Sequence, residues 1–140
     1  MASGWNKNII DEFHAKHGKG IRHFGDRLLL LTTQGAKSGK THTVPLAFHQ
    51  DGDRYVIAAS MGGAPKHPAW YHNLVKHKRA TIQVGDDRLD VTATPIPKGP
   101  ERDRLYAAHA EVLPMFREYP AKTTRIIPVV VLERVPQATG

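Results

Sequence analysis

Short apolar runs separated by tight turns restrict the folds that this chain can adopt. Residues 28–33 read LLLLTT, which suits a buried strand, and similar apolar or β-branched runs recur at residues 41–49, 54–60, 80–84, 88–96 and 125–135. The first three runs are expected to form an antiparallel meander. No strand–helix–strand rhythm repeats, so a doubly wound parallel sheet is disfavoured. We predict an α+β fold, a small and mostly antiparallel barrel of about six strands with flanking helices.

Three segments have helical character. Residues 6–17 place Ile9 and Phe13 on one stripe, residues 68–77 read PAWYHNLVKH, and a third helix opens at Pro100. A length of 140 residues suits a single domain. We divide that domain into an N-terminal helix and linker at 1–27, a barrel core at 28–135 and a tail at 136–140.

The composition excludes several classes of protein. No cysteine is present, which removes disulfides, thiol chemistry and cysteine-ligated zinc. No apolar run approaches the ~20 residues that span a bilayer, and the N-terminus lacks a signal peptide's hydrophobic stretch, so we expect a cytoplasmic protein. The formal net charge of +7 favours a polyanionic partner, which is a nucleic acid, an acidic membrane surface or a phosphorylated cofactor.

Residues 34–45 read QGAKSGKTHTVP and look like a nucleotide-binding P-loop with one residue missing. The motif GxxxxGK[ST] runs into a helix, whereas this shorter turn runs into β-branched residues and a proline, which favour a strand. A glycine-rich turn between strands points several backbone N–H groups into one concavity, and Lys37, Ser38 and Lys40 add charge and a hydroxyl. Taken alone, the same residues are also typical of an exposed hairpin tip.

A second glycine-rich loop, ASMGGAPK at residues 59–66, repeats this combination. Its small residues allow a ligand to approach the backbone, and Lys66 stands beside the start of the second helix. Trp70 and Tyr71 follow at once, and Trp70 is either core or a wall against a planar ring. Two such loops on adjacent strands favour an anion-binding site over two unrelated surface turns.

Metal and nucleophile chemistry find little support in the sequence. The nine histidines include His67, His72 and His77, whose five-residue spacing on a helix would turn successive side chains apart. No GxSxG elbow is present, and neither Ser38 nor Ser60 has a base beside it in the sequence. We therefore predict no metal site and no hydrolase.

Three separated motifs together resemble one protein family. LLLLTTQGAKSGKTHTVPLAF, VIAASMGGAPKHPAWYHNL and TRIIPVVVLE occur in the order found in the deazaflavin (F420)-dependent nitroreductase and quinone reductase family of actinobacteria. The resemblance runs from about Leu28 to Glu133 and includes the whole AASxGGAxKxPxWYxNL block. It implies a split β-barrel like that of FMN-binding barrels, coenzyme F420 as the cofactor, and an oxidoreductase that reduces quinones or nitro compounds.

The resemblance also implies which residues contact the cofactor. Coenzyme F420 joins a deazaflavin ring through a ribityl chain and a phosphodiester to a polyglutamate tail, and a basic groove suits that string of negative charges. Matching positions near the phosphate and tail, and then along the next strand, are Ala36, Lys37, Ser38, His42, Thr43, Val44, Pro45, Leu46 and Ala47. Positions beside the ring, and on the helix wall opposite it, are Ala58, Ala59, Ser60, Met61, Ala69, Trp70, Tyr71, His72 and Asn73. On charge grounds we add Lys40 and Lys66.

The activity implied is hydride transfer from C5 of the reduced deazaflavin to an electrophilic acceptor on its exposed face. Ser60 matches the family serine near the acceptor oxygen, where a hydroxyl would stabilise developing negative charge and deliver a proton. In the segment EVLPMFREYPAKTTR, Phe116 replaces a substrate-side tyrosine of the family, and Tyr119 follows one turn later. Because phenylalanine keeps the wall and loses the proton donor, quinone reduction with Tyr119 or water as donor is favoured over nitroimidazole reduction.

Other hypotheses stay open at this stage. One alternative is a non-catalytic F420 carrier, and another is a split-barrel protein that uses FMN. A nucleic-acid partner is disfavoured because no aromatic and basic residues interleave on the strands. An exposed sheet face would suit a homodimer. The stripe of Trp5, Ile9, Ile10 and Phe13 either packs on the barrel or lies peripherally on the membrane surface, where lipid quinones reside.

Overall fold

The computed structural model describes residues 3–135, without the side chains of residues 3–5, so the predicted tail at 136–140 lies outside the described residues. The helices are α1 (Ser3–Lys16), α2 (Ala69–His77) and α3 (Pro100–Val112). The strands are β1 (Leu28–Gln34), β2 (Thr41–Ala47), β3 (His49–Asp51), β4 (Arg54–Ala58), β5 (Arg79–Val84), β6 (Asp87–Ile96) and β7 (Val129–Arg134). Short 3-10 turns lie at Met61–Gly63, Pro114–Arg117 and Tyr119–Lys122.

The seven described strands form one antiparallel sheet in the order β2-β1-β5-β6-β7-β4-β3. The predicted meander is wrong at its centre, because the run at residues 41–49 is divided at Phe48. Its first part pairs with β1 and its second part pairs with β4, at opposite edges of the sheet. The chain passes from one edge to the other through Phe48, which is buried and donates its N–H to Arg27 O at 3.0 Å. The sheet therefore curls into a half-barrel, and the division explains why seven strands are seen where about six were expected.

Two predicted strands are shorter than expected, and their irregular ends lie side by side. The run at 54–60 leaves the sheet after Ala58, and the run at 125–135 joins it only at Val129. Pro128 has no N–H for a strand ladder, although its carbonyl accepts the N–H of Ala59 at 2.9 Å. This contact brings the segment before β7 against the loop that follows β4.

Side-chain alternation along β1 distributes its leucines over two faces of the sheet. Leu29 and Leu31 belong to the barrel interior, together with Leu74 of α2. Residues 28 and 30 lie on the other face and pack with α1. Because both faces are covered, the strand reads as an uninterrupted apolar run.

The apolar stripe of α1 is used inside the fold. Ile9 and Phe13 are only 1% and 0% exposed and pack against β1. Of the two alternatives for this stripe, packing on the barrel is the one observed for these two residues. The side chain of Trp5 lies outside the described residues. Among the residues that the structure describes, no helix is both long and apolar enough to cross a bilayer.

Helix α3 covers the outer face of β4 and β7. Leu105 and Tyr106 pack there with Val56 and Val129. The hydroxyl of Tyr106 donates to Phe116 O at 2.7 Å, which fixes the 3-10 turn that follows the helix. That turn forms one wall of the cavity described next.

Candidate functional site

An open cavity of about 1110 Å³ lies where the β1–β2 turn, β2, the end of β4, α2 and residues 115–119 meet. Polar groups gather at the β1–β2 turn, and apolar side chains from β2, α2 and residues 115–116 line much of the remainder. Its volume is that of a site for a cofactor or a drug-sized molecule. The cavity suits a ligand that is polar at one end and apolar at the other.

The β1–β2 turn is closed by its own backbone. Gly35 donates its N–H to Lys40 O at 2.7 Å, and Gly39 donates to Gly35 O at 3.1 Å. Ser38 Oγ accepts the N–H of Lys40 at 3.2 Å. A Cβ added at Gly35 would lie 2.7 Å from Ser38 Oγ and 3.3 Å from Lys40 O, so a larger residue there would displace the serine. The turn is therefore a preformed structure that presents Lys37 and Ser38 to the cavity.

Helix α2 holds this turn in place. Asn73 Oδ1 accepts the N–H of Ala36 at 2.9 Å, and Asn73 Nδ2 donates to Thr33 Oγ1 at 3.0 Å. Lys76 Nζ donates to Ala36 O at 2.6 Å. Asn73 is 7% exposed, so its amide is committed to positioning the turn even though the residue also lines the cavity.

The loop after β4 forms the wall at the other side. Ser60 is 7% exposed, and the 3-10 turn Met61–Gly63 follows it directly. Met61 is 58% exposed and adopts a left-handed backbone with φ of 47°, which is unusual for a residue with a side chain. Both residues line the cavity.

The helical period of α2 decides which of its residues reach the cavity. Ala69, His72 and Asn73 share one face and line it, as does Trp70 at the first turn. Tyr71 points elsewhere, with its ring centroid 4.9 Å from that of His67, and belongs to the core. Burial raises the pKa of Tyr71, in keeping with a phenol inside the fold.

Residues 115–119 supply the aromatic wall. Phe116 is 6% exposed, and its ring meets that of Tyr119 edge to face with centroids 5.1 Å apart. Burial raises the pKa of Tyr119, and the charge of Glu118 adds to this, so the phenol, which is protonated at neutral pH in any tyrosine, stays protonated here. Phe116 and Tyr119 both line the cavity, so a proton donor stands beside the phenylalanine.

The cavity brings together most of the residues singled out in the sequence. Those that line it are Ala36, Lys37, Ser38, His42, Val44, Pro45, Leu46, Ala47, Ala58, Ser60, Met61, Ala69, Trp70, His72, Asn73, Phe116 and Tyr119. Those that do not are Lys40, Thr43, Ala59, Lys66 and Tyr71. Thr43 instead shares a 2.7 Å hydroxyl contact with Thr32, and Ala59 is fully buried.

Six lining residues were not predicted: Asn6, Phe24, Thr33, Gly35, Pro68 and Met115. Gly35, Pro68 and Met115 adjoin residues that were singled out, and Thr33 directly precedes the glycine-rich motif that begins at Gln34, so including the neighbours of each would have found these four. Asn6 and Phe24 come from the N-terminal helix and linker, far from the motifs in sequence. Only the folded chain brings these two to the cavity.

The side chains of His67 and His72 lie closer together than the sequence predicted. His67 and His72 were expected to diverge, but their ring centroids lie 5.9 Å apart, because His67 precedes α2 and does not follow its helical period. Within residues 3–135, no group of three or more metal-ligating side chains is positioned to hold a metal ion.

Comparison with known proteins identifies relatives along nearly the whole chain. A family model described as F420H(2)-dependent quinone reductase matches residues 5–134. The F420H(2)-dependent quinone reductase Rv1261c of Mycobacterium tuberculosis is 44% identical over 108 residues, which cover 76% of this chain and 72% of that protein. A solved F420-H2 dependent reductase, FDR-A, has a TM-score of 0.69 and 42% identity, covering 76% of this chain and 94% of its own. A solved domain-swapped dimer has a TM-score of 0.71 and 36% identity, covering 95% of this chain and 100% of its own.

These matches confirm the resemblance that rested on three motifs, since the matched residues contain both glycine-rich loops, α2 and β7. They also confirm the predicted α+β barrel, the oxidoreductase class and coenzyme F420 as the cofactor. The chain belongs to the F420H(2)-dependent quinone reductase family.

Proposed function

We propose that this protein transfers a hydride from reduced coenzyme F420 to a quinone-like acceptor in the cavity described above. Family membership supports the cofactor and the class of reaction. The observation that carries the placement is that one cavity joins the Lys37 turn, the Ser60 loop and the wall of α2.

The residues present fit the charge and the shape of this cofactor. Lys37, Ser38 and His42 supply positive or hydrogen-bonding groups at one end, as an anionic phosphate and tail require. Ala47 and Ala58 are small, line the cavity and end β2 and β4, so a flat ring can approach the backbones of these strands. The tight turn at Gly35 supports the polar end, since any Cβ there would collide with Ser38.

The protein's own part in the reaction is to bind, orient and protonate. Coenzyme F420, when bound, supplies the hydride. Lys37 and the β1–β2 turn hold the anionic end, while Trp70 and Phe116 provide aromatic surface. Holding two reactants in a fixed orientation removes much of the entropic barrier to their reaction.

Two hydroxyl groups that line the cavity are proposed to serve the acceptor. Ser60 is placed to stabilise negative charge that develops on an acceptor oxygen, and Tyr119 is the proposed proton donor. A tyrosine phenol is protonated at neutral pH, and burial, which raises the pKa of Tyr119, leaves it so, which means that a proton is present for transfer. Phe116 retains the wall without a second phenol, which favours quinones over substrates that need a further donor.

Charge reversal on the β1–β2 turn tests the cofactor site. Lys37→Glu is expected to weaken F420 binding about tenfold or more, or about 1.4 kcal/mol, because a favourable charge in the cavity becomes a repulsive one. Lys40→Glu is the matched control, since it makes the same charge change on the same turn but its side chain does not line the cavity. Fluorescence or calorimetric titration measures both affinities. Equal losses in the two variants would contradict direct contact with Lys37.

Turnover separates the enzyme from its alternatives. The F420-loaded protein, reduced and mixed anaerobically with menadione, is expected to return the absorbance of the oxidised cofactor. Tight F420 binding without that signal would favour a carrier. Binding of FMN with no affinity for F420 would favour a split barrel that uses another cofactor.

We also propose a homodimer as the assembled form. The support is a solved domain-swapped dimer that is 36% identical and covers 95% of this chain. Light scattering on the purified protein measures the oligomeric state directly, and a monomeric mass at micromolar concentration would contradict the proposal. A cytoplasmic location, with or without peripheral membrane contact through α1, stays a prediction from the sequence.

A further inference from the structure

Arg125 lies behind the Ser60 loop and faces its backbone instead of the cavity. Its Nε donates to Ala64 O at 2.8 Å, and its Nη2 donates to Ala59 O at 3.0 Å and to Ser60 O at 2.9 Å. Arg125 does not line the cavity. A single guanidinium therefore binds three carbonyls of the loop that presents Ser60.

The loop needs support of this kind because its backbone is strained. Met61 has a φ of 47°, a left-handed backbone that is rare in a residue with a side chain. A left-handed conformation in a residue with a side chain costs of order 1 kcal/mol, which the surroundings must offset. Within the loop, Gly63 N–H donates to Ser60 O at 2.9 Å and Ala64 N–H donates to Met61 O at 3.2 Å. Arg125 binds the same Ser60 carbonyl, so it reinforces the turn at its first residue.

The guanidinium also connects this loop to α2. Its Nη1 lies 3.0 Å from His67 Nδ1, and since a guanidinium can only donate, the histidine accepts and is neutral. The ring of His67 packs against Tyr71 of α2, with centroids 4.9 Å apart. Arg125 thus joins the loop that carries Ser60 to the start of α2, the helix that carries Trp70.

We propose that Arg125 is a positioning residue that holds Ser60 and Met61 against α2 and so sets the spacing between the reacting ring and the acceptor. It acts through the loop backbone and touches neither reactant. The inference rests on the proposed function, which assigns the Ser60 loop to the ring end of the cavity. Arginine is needed because its planar fork reaches several carbonyls at once, whereas lysine carries its donors on one atom.

Amide hydrogen exchange on the protein without cofactor tests the structural part. Arg125→Lys is expected to raise the exchange rates of the Gly63 and Ala64 amides about tenfold or more, because their turn loses its external hydrogen bonds. Arg102→Lys is the matched control, since Arg102 Nε also donates to a carbonyl, that of Ile127 at 2.8 Å, but on the α3 side. Exchange at Gly63 and Ala64 is expected to be unchanged in that control. No increase in Arg125→Lys, or an equal increase in both variants, would overturn the proposal.

Kinetics on the loaded enzyme test the functional part. Arg125→Lys is expected to lower kcat about tenfold while the affinity for F420 changes less than about threefold, since the Lys37 turn is untouched. An unchanged kcat would overturn the positioning role. If wild-type protein itself gives no turnover, the proposed function fails, and the exchange result still decides what Arg125 does to the loop.

A milder variant covers the case in which Arg125→Lys does not fold. His67→Phe keeps an aromatic ring beside Tyr71 and removes only the acceptor for Nη1. A smaller rise in exchange at the same two amides would support the proposal, and unchanged exchange would count against it.

Discussion

His49 and His109 form a buried pair that the proposed reaction does not use. Their Nδ1 atoms lie 2.8 Å apart, and the residues are 4% and 0% exposed. Neither Nε2 has a hydrogen-bond partner among the described residues. Burial, and then the neighbouring His49, lower the pKa of His109 to about 3, and burial likewise lowers the pKa of His49. Both rings are therefore neutral in the folded protein, with one proton shared between the facing nitrogens.

This pair should make the fold sensitive to acid. A free histidine titrates near pH 6.5, so below that pH the two histidines bind protons in the unfolded chain and stay neutral in the folded protein. Stability is full above pH 6.5 and falls as the pH drops toward the folded pKa. His109→Leu is expected to reduce the slope of unfolding free energy against pH by up to about 1.4 kcal/mol per pH unit. Urea unfolding between about pH 6.5 and pH 5.5, where ordinary carboxylates are still almost fully ionised, measures the slope.

An exposed histidine provides the comparison. His14→Leu changes the same residue type on the solvent side of α1 and should leave the slope as in the wild type. If the wild type and His109→Leu have the same slope, the buried pair is not the acid-sensitive group.

The sequence predicts the chemistry of individual residues better than their directions. Lys37, Ser60 and Trp70 line the cavity as the family resemblance implies. Lys40 and Lys66 were added for their charge alone, and neither lines the cavity. That prediction failed because the charge of a residue does not determine where its side chain points. Asn73 was expected to contact a ligand, yet its amide holds Thr33 and Ala36, partners that only the folded helix brings near.

Among the elements, the loop after β4 and the 3-10 turn Tyr119–Lys122 are packed tightly together. A Cβ at Gly63 would lie 2.8 Å from Lys122 Cβ and 3.2 Å from Tyr119 O, and the glycine has a φ of 85°. The loop that presents Ser60 and the turn that presents Tyr119 therefore touch through a glycine. A shift of one element would move the other.

Gly63→Ala is expected to destabilise the protein for two reasons, the positive φ and the collision with Lys122. Gly52→Ala isolates the first reason, since Gly52 has a φ of 64° and nothing within 4 Å of the added Cβ. A positive φ costs about 1 kcal/mol in alanine, and the collision should add at least about 1 kcal/mol in Gly63→Ala. Urea unfolding measures both variants. Equal losses of stability in the two variants would show that the loop after β4 and the turn Tyr119–Lys122 move apart without an energetic cost, which would contradict tight packing between them.

Strand and helix positions were predictable where local pattern determines them, and not where pairing does. The four leucines of β1 predict a buried strand, and Pro100 is the first residue of α3, as its preference for helix starts indicates. The division of residues 41–49 at Phe48 depends on which strand each half pairs with, a long-range choice that the local sequence encodes only weakly. Pro45 is a partial signal, because proline inside a strand favours a sheet edge, and β2 is an edge strand.

In the molecule as a whole, the N-terminal segment folds over the barrel and completes the cavity. Phe24, in the linker before β1, lines the cavity with Met115. The same two residues line a second cavity of about 640 Å³, with His23, Val112 and neighbouring residues. Phe24 and Met115 therefore stand between the two spaces. The resemblance began at Leu28, so this contribution lay outside the motifs that identified the site.

Phe24 should limit the size of the quinone that fits in the cavity. Phe24→Ala removes the ring between the two cavities, so a quinone with a bulky substituent gains room while a small quinone gains nothing. The ratio of kcat/KM for the bulky quinone to that for menadione is expected to rise about tenfold, the scale on which pocket volume discriminates substrates.

Val112→Ala is the control, since it enlarges only the second cavity and leaves the wall intact. A ratio that stays constant in Phe24→Ala, or that rises equally in Val112→Ala, would mean that the acceptor does not reach this wall. Phe24 is partly exposed, so the variant should lose less stability than a fully buried phenylalanine would, and the loss itself is read from its unfolding curve.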